Sequence, residues 1–153
     1  MYENPIFNEN NEKILCEMNG KNADMLMNIK TKVLKAGESV TICDKNNETA
    51  ILLLSGDVTY KFDGKEENAK RENQFVDRPY CVHFSRNNEV TVTANADSRI
   101  LIQQTDNENN FGFQWYSPEN VILQEFGKDQ WNGTAHRQVL TLFDYENAPY
   151  SNM

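Results

Sequence analysis

Two histidines and one arginine are the side chains of this chain whose chemistry could serve a reaction. His83 and His136 are its two histidines, and imidazole is the side chain whose ordinary pKa lies between pH 5 and 8. Both are therefore candidate bases for moving a proton, although the placement of His83 favours a packed core histidine. Arg137 follows His136 directly, and its guanidinium either clamps a carboxylate ligand or forms an ion pair with Asp144 or Glu146.

The cysteines and the acidic loop do not indicate a metal site. Cys16, Cys43 and Cys81 are odd in number, widely spaced and without a C-x-x-C pair, so they predict reduced, partly buried thiols. Residues 106–110 (DNENN) read as a solvated loop and lack the glycine and terminal glutamate of a calcium loop. We therefore expect no metal and no other cofactor in this chain.

Composition excludes several classes of partner. The 153 residues carry a formal charge of -8, and nucleic acids and anionic membranes both require a basic patch. The longest apolar run is about five residues, whereas a membrane-spanning helix needs ~20. The N-terminus lacks the basic start and apolar block of a signal peptide, so we expect a cytoplasmic protein.

The stretch from residue 39 to 62 organises the predicted fold. Val40 and Ile42 alternate with polar neighbours, and residues 50–54 are apolar on both faces, as in a strand buried on both sides. Residues 55–57 predict a turn, and alternation resumes through residue 62. Further strands are predicted at residues 25–34, 74–76, 80–84, 89–94, 98–104 and 134–143.

Turn signals separate these strands. Asp63-Gly64 is a strong turn signal, residues 65–73 read as a charged connector, and residues 95–97 predict a tight turn. Many short strands with almost no helical periodicity indicate an all-β sandwich or barrel.

The L-x-G-D-V stretch at residues 54–58, following a strand, resembles the first motif of the cupin β-barrel, a double-stranded β-helix. In cupins a metal-binding His-x-His precedes a Glu that lies seven residues before the glycine. Counting back from Gly56 puts Thr49 at the Glu position, with Lys45 and Cys43 at the two His positions. The resemblance therefore implies the cupin framework without these ligands.

The second cupin motif has a proline, a glycine two residues later and a ligand His three residues beyond that. Residues 79–84 resemble it, with Pro79 at the start and Cys81 at the glycine position. Phe84 then occupies the ligand position, and His83 is one residue away. Neighbouring strand residues point to opposite faces, so His83 would reach the site only through a bulge.

The C-terminal block is similar to the 5-deoxy-glucuronate isomerase family, with which the 5-keto-4-deoxyuronate isomerases are grouped. Gly133, His136, Arg137 and Val139 fit the linker pattern of that family, and the resemblance covers residues 25–153. Its members are bicupins whose C-terminal barrel holds a divalent metal through His-x-His, Glu and His. Those ligands lie beyond the residues that this chain matches.

The resemblance implies three regions and a function. Residues 1–20 would be a polar N-terminal segment, residues 21–116 a cupin-like barrel, and residues 117–153 a linker to an absent second half. The chain would be the N-terminal half of an enzyme that interconverts aldose and ketose sugar acids in inositol or uronate breakdown. It would lack activity alone, with the divalent metal in the other half and Arg137 as a candidate for the sugar carboxylate.

The sequence supports two further expectations besides the isomerase half. The chain is alternatively a metal-free cupin-like module that binds a ligand or partner without chemistry. In either case the strand at residues 134–143 would fold back on its own sheet or present an unpaired edge, and unpaired edges recruit other chains. We therefore expect self-association with residues 139–142 at the interface.

Overall fold

The computed structural model describes residues 4–153, which form two facing β-sheets and a separate hairpin. Single turns of 3-10 helix span Ala23–Met25 and Trp131–Gly133, and no helix within these residues is long and apolar enough to cross a membrane. The strands are β1 (Glu12–Cys16), β2 (Asn28–Leu34), β3 (Ser39–Cys43), β4 (Asn47–Phe62), β5 (Lys65–Arg71), β6 (Cys81–Phe84), β7 (Glu89–Ala94), β8 (Ser98–Asp106), β9 (Phe113–Tyr116), β10 (Ile122–Phe126) and β11 (Arg137–Thr141).

The first sheet has the order β1-β2-β8-β4-β6-β9, and the second sheet joins β3, β7, the end of β4 and β5. Side chains from both sheets meet in one apolar core, which includes Ile51 and Ile102 from the first and Tyr60 and Val92 from the second. Trp115 of β9 packs against Tyr60 with ring centroids 5.2 Å apart. The all-β prediction is confirmed.

Strand β4 belongs to both sheets. Residues 47–55 pair with β8 in the first sheet, and residues 56–62 pair with β5 in the second. The predicted turn at residues 55–57 is therefore wrong: the chain bends there but stays a strand. A register shift between Leu53 and Ser55 and the positive φ of Gly56 make the bend, as expected of a bulge that lets a strand change sheets.

The apolar run in β4 is buried on its inner face, as predicted, whereas its outer face is buried at Ala50 and half-buried at Leu52 and Leu54. Ile51 and Leu53 point into the core between the sheets. Ala50 points the other way and belongs to a second apolar cluster with Cys81 and Tyr116. Successive strand residues face opposite sides, so this second cluster lies on the outer face of the first sheet.

Two local predictions between β4 and β6 are wrong. Residues 65–73 are not a connector, since β5 pairs with β4 across the Asp63-Gly64 turn. Both turn residues have positive φ, as in a two-residue hairpin loop. Residues 74–76 are a turn and not a strand, because the N–H groups of Val76 and Asp77 bond to the Asn73 carbonyl.

The chain ends differ in their relation to the sheets. β1, within residues 1–20, pairs with β2 and forms an edge of the first sheet. The predicted strand at residues 134–143 is shorter, and β11 pairs with β10 in a two-stranded hairpin apart from both sheets. Ile122, Phe126 and Val139 of this hairpin are each about 40% exposed (38%, 46% and 41%).

Gly56→Ala should destabilise the protein by about 3 kcal/mol, because it combines backbone strain with a steric clash. The φ of Gly56 is +115°, and an added Cβ would lie 2.6 Å from the Ser98 Cα. Gly64→Ala is the matched control, since its φ is +71° but nothing lies within 4 Å of the added Cβ. We expect it to lose only about 1 kcal/mol. Urea unfolding measures both, and equal losses would contradict the clash.

Candidate functional site

Residues 142–153 form a C-terminal strap over part of the outer face of the first sheet. Leu142, Phe143 and Met153 pack against the outer apolar cluster around Ala50 and Cys81. This contact explains why β4 can be apolar on both faces, since the strap excludes water from the side that the core does not cover.

A buried carboxylate lies under the strap. Glu48 is fully buried, and each of its oxygens accepts two hydrogen bonds. Oε1 accepts from the Asn152 backbone N–H at 2.7 Å and from the Ser151 hydroxyl at 3.2 Å. Oε2 lies 3.2 Å from His83 Nε2 and accepts from Asn107 Nδ2 at 3.1 Å. The strap thus supplies both donors to one oxygen.

The loop after β8 joins this network. Asn107 Nδ2 also donates to the Tyr150 carbonyl at 2.7 Å, and Asn109 Nδ2 donates to the same oxygen at 3.0 Å. Asn152 Nδ2 returns a bond to the Asp106 carbonyl at 2.7 Å. Residues 106–110 were expected to be solvated, but Asn107 is only 3% exposed because the strap covers it.

The network determines the ionisation of Glu48. Burial alone would raise its pKa, but hydrogen bonds from His83, the Asn152 N–H and Asn107 outweigh burial. The pKa of Glu48 is therefore held below its ordinary value, because these donors favour the ionised form. The carboxylate stays charged at neutral pH, where its bonds to charged or polar donors are strongest.

His83 is stacked in an aromatic cluster. Its ring lies 4.4 Å from the Phe143 ring at an interplanar angle of 12°, and 4.8 Å from the Phe111 ring. Phe111 in turn stacks on Tyr150 at 4.4 Å. Nε2 faces Glu48, whereas the buried Nδ1 has no hydrogen-bond partner within residues 4–153.

The arrangement holds the strap in place and leaves no room for a substrate. Both Glu48 and His83 are 0% exposed, so a ligand would reach His83 only after the strap had moved. The geometry assigns His83 a packing and hydrogen-bonding role in the closed structure. A proton-transfer role for His83 remains a prediction.

His136 and Arg137 lie elsewhere. They belong to the β10–β11 hairpin, which pairs with neither sheet. His136 Nε2 is 3.4 Å from Glu125 Oε1 at the surface. Arg137 is exposed, and no ion pair joins it to Asp144 or Glu146 in the described structure. Its role in binding a carboxylate stays a prediction.

A cavity of about 350 Å³ opens at one end of the core, between β1, β2 and β8. Lys30 lies opposite Ile102 in register, and Ile102 is a core residue, so Lys30 is on the inner face. Asn28 and Gln104 also line the cavity, and the Lys30 ammonium is 3.0 Å from the Glu12 carboxylate. We call this space the barrel-mouth cavity.

A model of the KduI/IolB family matches residues 1–153. The chain belongs to this family. None of the curated protein sequences matches it. The family description agrees with the resemblance to 5-deoxy-glucuronate isomerases that the C-terminal block indicated.

Solved structures of similar fold support the cupin-like architecture of this KduI/IolB member. An IolB-like protein from Salmonella typhimurium LT2 has a TM-score of 0.71 at 22% identity, covering 79% of this chain and 46% of its own. Protein Ylba from E. coli has a TM-score of 0.58 at 18% identity, with coverages of 80% and 51%. A protein described as a predicted oxalate decarboxylase, from Thermotoga maritima, has a TM-score of 0.51 at 11% identity, with coverages of 62% and 78%.

These identities establish the fold alone, and they confirm the predicted cupin-like class. The chain spans about half the length of the IolB-like protein (46%). The activity and the substrate of this KduI/IolB chain are therefore proposed below.

The residues at the counted cupin ligand positions do not fit a metal. Phe84 has no donor atom and is packed in the core, and the Thr49 hydroxyl accepts a bond from Gln104 at 3.1 Å. Cys43 and Lys45 are exposed. No group of three or more His, Cys, Asp or Glu side chains that could hold a metal occurs within residues 4–153. We derive no metal-dependent step for this chain.

The sequence analysis missed Glu48. Counting from the motifs led to Thr49 and Phe84, which pair in register and face inward. Glu48 and His83 each lie one residue earlier, and a shift of one residue moves a side chain to the opposite face of a sheet. One signal in the sequence could have identified the pair: Glu48 and His83 each lie one residue before a counted ligand position, Thr49 and Phe84, and those two positions are neighbours in the sheet.

Glu48→Gln should lower the free energy of unfolding at neutral pH by about 1.5–3 kcal/mol, the usual contribution of hydrogen bonds to a charged group. Because the folded pKa of Glu48 is depressed, the wild-type advantage is complete above the unfolded pKa. It should shrink as the pH falls below about 4 and through the folded pKa. Urea unfolding from pH 7 to pH 3 measures the difference.

Glu108→Gln is the matched control, because Glu108 is exposed in the neighbouring loop and surface changes usually stay within about 0.5 kcal/mol. A Glu48→Gln loss that stayed constant down to pH 3 would show that the carboxylate charge does not stabilise the strap.

Proposed function

We propose that this chain is the metal-free barrel of a sugar-acid isomerase and corresponds to the N-terminal half of a two-barrel enzyme. The observation that carries the proposal is the KduI/IolB match over residues 1–153 in a chain whose ligand positions hold residues unsuited to metal. The 46% coverage of the IolB-like structure is consistent with a half. The proposed location is the cytoplasm.

The reaction in this proposal is the aldose–ketose isomerisation of a substrate of the 5-deoxy-glucuronate type. A divalent metal would supply the polarisation of the sugar oxygens, and its ligands would belong to the second barrel. The residues of this chain contribute a folded core, a strap anchored on Glu48, and an exposed hairpin that carries His136 and Arg137.

A second candidate is a metal-free module that binds a ligand without converting it. The barrel-mouth cavity favours it, since Asn28 and Gln104 offer two amides to a polyhydroxylated acid beside the ion pair of Lys30 with Glu12. Saturable binding of glucuronate without turnover, lost in Lys30→Met but kept in Lys61→Met, would favour this candidate over the first.

The purified chain should contain far less than one zinc, manganese or iron ion per molecule, because Phe84 and Lys45 cannot replace imidazole ligands. It should also fail to isomerise 5-deoxy-glucuronate above background. Elemental analysis after dialysis and a coupled turnover assay measure the two expectations. Near-stoichiometric metal would contradict the first. Turnover that disappears in His136→Ala would contradict the second.

We also propose that the hairpin mediates self-association between two copies of the chain. Among the strands of residues 4–153, β10 pairs only with β11, so each strand has an edge with unpaired N–H and C=O groups. Leu123 and Val139, on opposite faces of the hairpin, are 40% and 41% exposed. An isolated two-stranded hairpin is marginally stable in water, and a second copy would bury both the edge and the apolar side chains.

Val139→Lys should shift the chain towards monomer in sedimentation velocity, because a lysine ammonium at a strand interface is unpaired and costly to bury. Cys43→Lys is the matched control, since Cys43 is also exposed on a strand but lies outside the hairpin. A wild-type chain that remains monomeric at high concentration would overturn this proposal.

A further inference from the structure

A groove of about 480 Å³ crosses the outer face of the first sheet beside the strap. Its floor follows a cross-strand row in which Thr31 pairs with Leu101 and Leu101 pairs with Leu52. These residues alternate with core residues, so they face outward. Lys13, Arg71 and Arg99 line the same groove, which we call the cationic groove.

Arg71 is a buried cation that forms no direct ion pair among residues 4–153. It is 5% exposed, and its guanidinium donates to backbone carbonyls of Leu53 at 2.8 Å, Gln74 at 2.9 Å and Asp77 at 2.9 Å. Carbonyl oxygens satisfy its hydrogen bonds, the Asp77 carboxylate acts on its charge only without direct contact, and Arg stays protonated in proteins. Burying a charge without a counter-charge is unfavourable.

The Asp77 carboxylate does not form a direct ion pair with the Arg71 guanidinium. Its Oδ2 accepts the backbone N–H groups of Glu72 and Asn73 at 3.0 and 2.8 Å. It is the Asp77 carbonyl that contacts Arg71. The guanidinium charge is therefore met by dipoles and not by an ion pair among residues 4–153.

Arg99 has a donor with no partner. Its NH2 group donates to the Gln74 side chain at 3.2 Å, whereas its Nε is buried and unbonded in the described part of the chain. Lys13 Nζ lies 5.0 Å from the centre of the Phe7 ring and forms no ion pair in residues 4–153. Three positive side chains that form no ion pair within residues 4–153 thus meet on one face of a chain whose formal charge is -8.

We propose that the cationic groove binds a small organic anion that has one carboxylate and an apolar body. The carboxylate would lie near the positive charges of Arg99, Arg71 and Lys13, which line the groove. Leu52 and Leu101 form an apolar floor for the body of the ligand, and Phe75, which is 88% exposed at the rim, can cover it. This site is separate from the barrel-mouth cavity and does not depend on the isomerase proposal.

The test compares three probes that separate the charge from the apolar body. Octanoate has both, octanol has the body without the charge, and acetate has the charge with almost no body. Calorimetric titration below the micellar concentration should show saturable octanoate binding at least about tenfold tighter than that of octanol or acetate. Raising the salt concentration should weaken it, because the groove is open and its charges are screened.

Variants locate the site. Arg99→Gln and Lys13→Met should each weaken octanoate binding severalfold or more, while Arg86→Gln and Lys61→Met, away from the groove, should not change it. Chemical-shift mapping on the wild-type chain should place the largest shifts at Leu52, Thr31 and Leu101, and it does not depend on whether Arg99→Gln folds.

Three results would overturn the proposal. If octanol bound as tightly as octanoate, the cations would not contribute to binding. If acetate bound as tightly as octanoate, the apolar floor would not contribute. Chemical shifts confined to the barrel-mouth cavity or the hairpin would place the ligand elsewhere. Absence of octanoate binding at millimolar concentration would show that the groove takes no such anion.

Discussion

A carboxylate that is removed from water must have its oxygens hydrogen-bonded, and this constraint joins the parts of the molecule. Glu48 is buried on β4, and its four hydrogen bonds come from β6, from the loop after β8 and from the strap. If the strap moved away, one oxygen would lose both of its donors. The penalty for an unpaired buried charge therefore couples the C-terminal residues to the centre of the first sheet.

Strand β4, which holds Glu48, connects the two sheets to each other. It pairs with β8 and β6 in the first sheet, bends at Gly56, and pairs with β5 and β7 in the second. One strand thus contributes to both sheets, to the core between them and to the apolar cluster under the strap. A change at the bend would disturb all of these contacts together.

The outer face of the first sheet has two environments that meet at Leu52. On one side the strap covers Ala50 and Cys81 with apolar side chains, and the charge of Glu48 is fully bonded. On the other side the cationic groove is open, and the charges of Arg71 and Arg99 have no carboxylate partners in the described structure. The same sheet face therefore has a fully hydrogen-bonded carboxylate in one half and two guanidinium groups without ion pairs in the other half of the described structure. The half without ion pairs is where a ligand would contribute most.

The sequence by itself determined the features that depend on neighbouring residues. Alternation predicted β3, β7 and β8, the Asp63-Gly64 pair predicted a turn, and the apolar run in β4 predicted the burial of Ala50, Ile51 and Leu53. Period and turn chemistry are local, so they can be read from short stretches. The family resemblance was also readable, because it depends on motif order.

Only the tertiary structure decided which distant residues meet. Glu48 bonds to His83 35 residues later and to Asn152 104 residues later. Whether two such side chains share a face depends on strand register, and a shift of one residue reverses the face. For the same reason the bend at Gly56 read as a turn, since the close contact with Ser98 that stabilises it involves another strand. Local patterns define the strands, and register and long-range packing bring their side chains together.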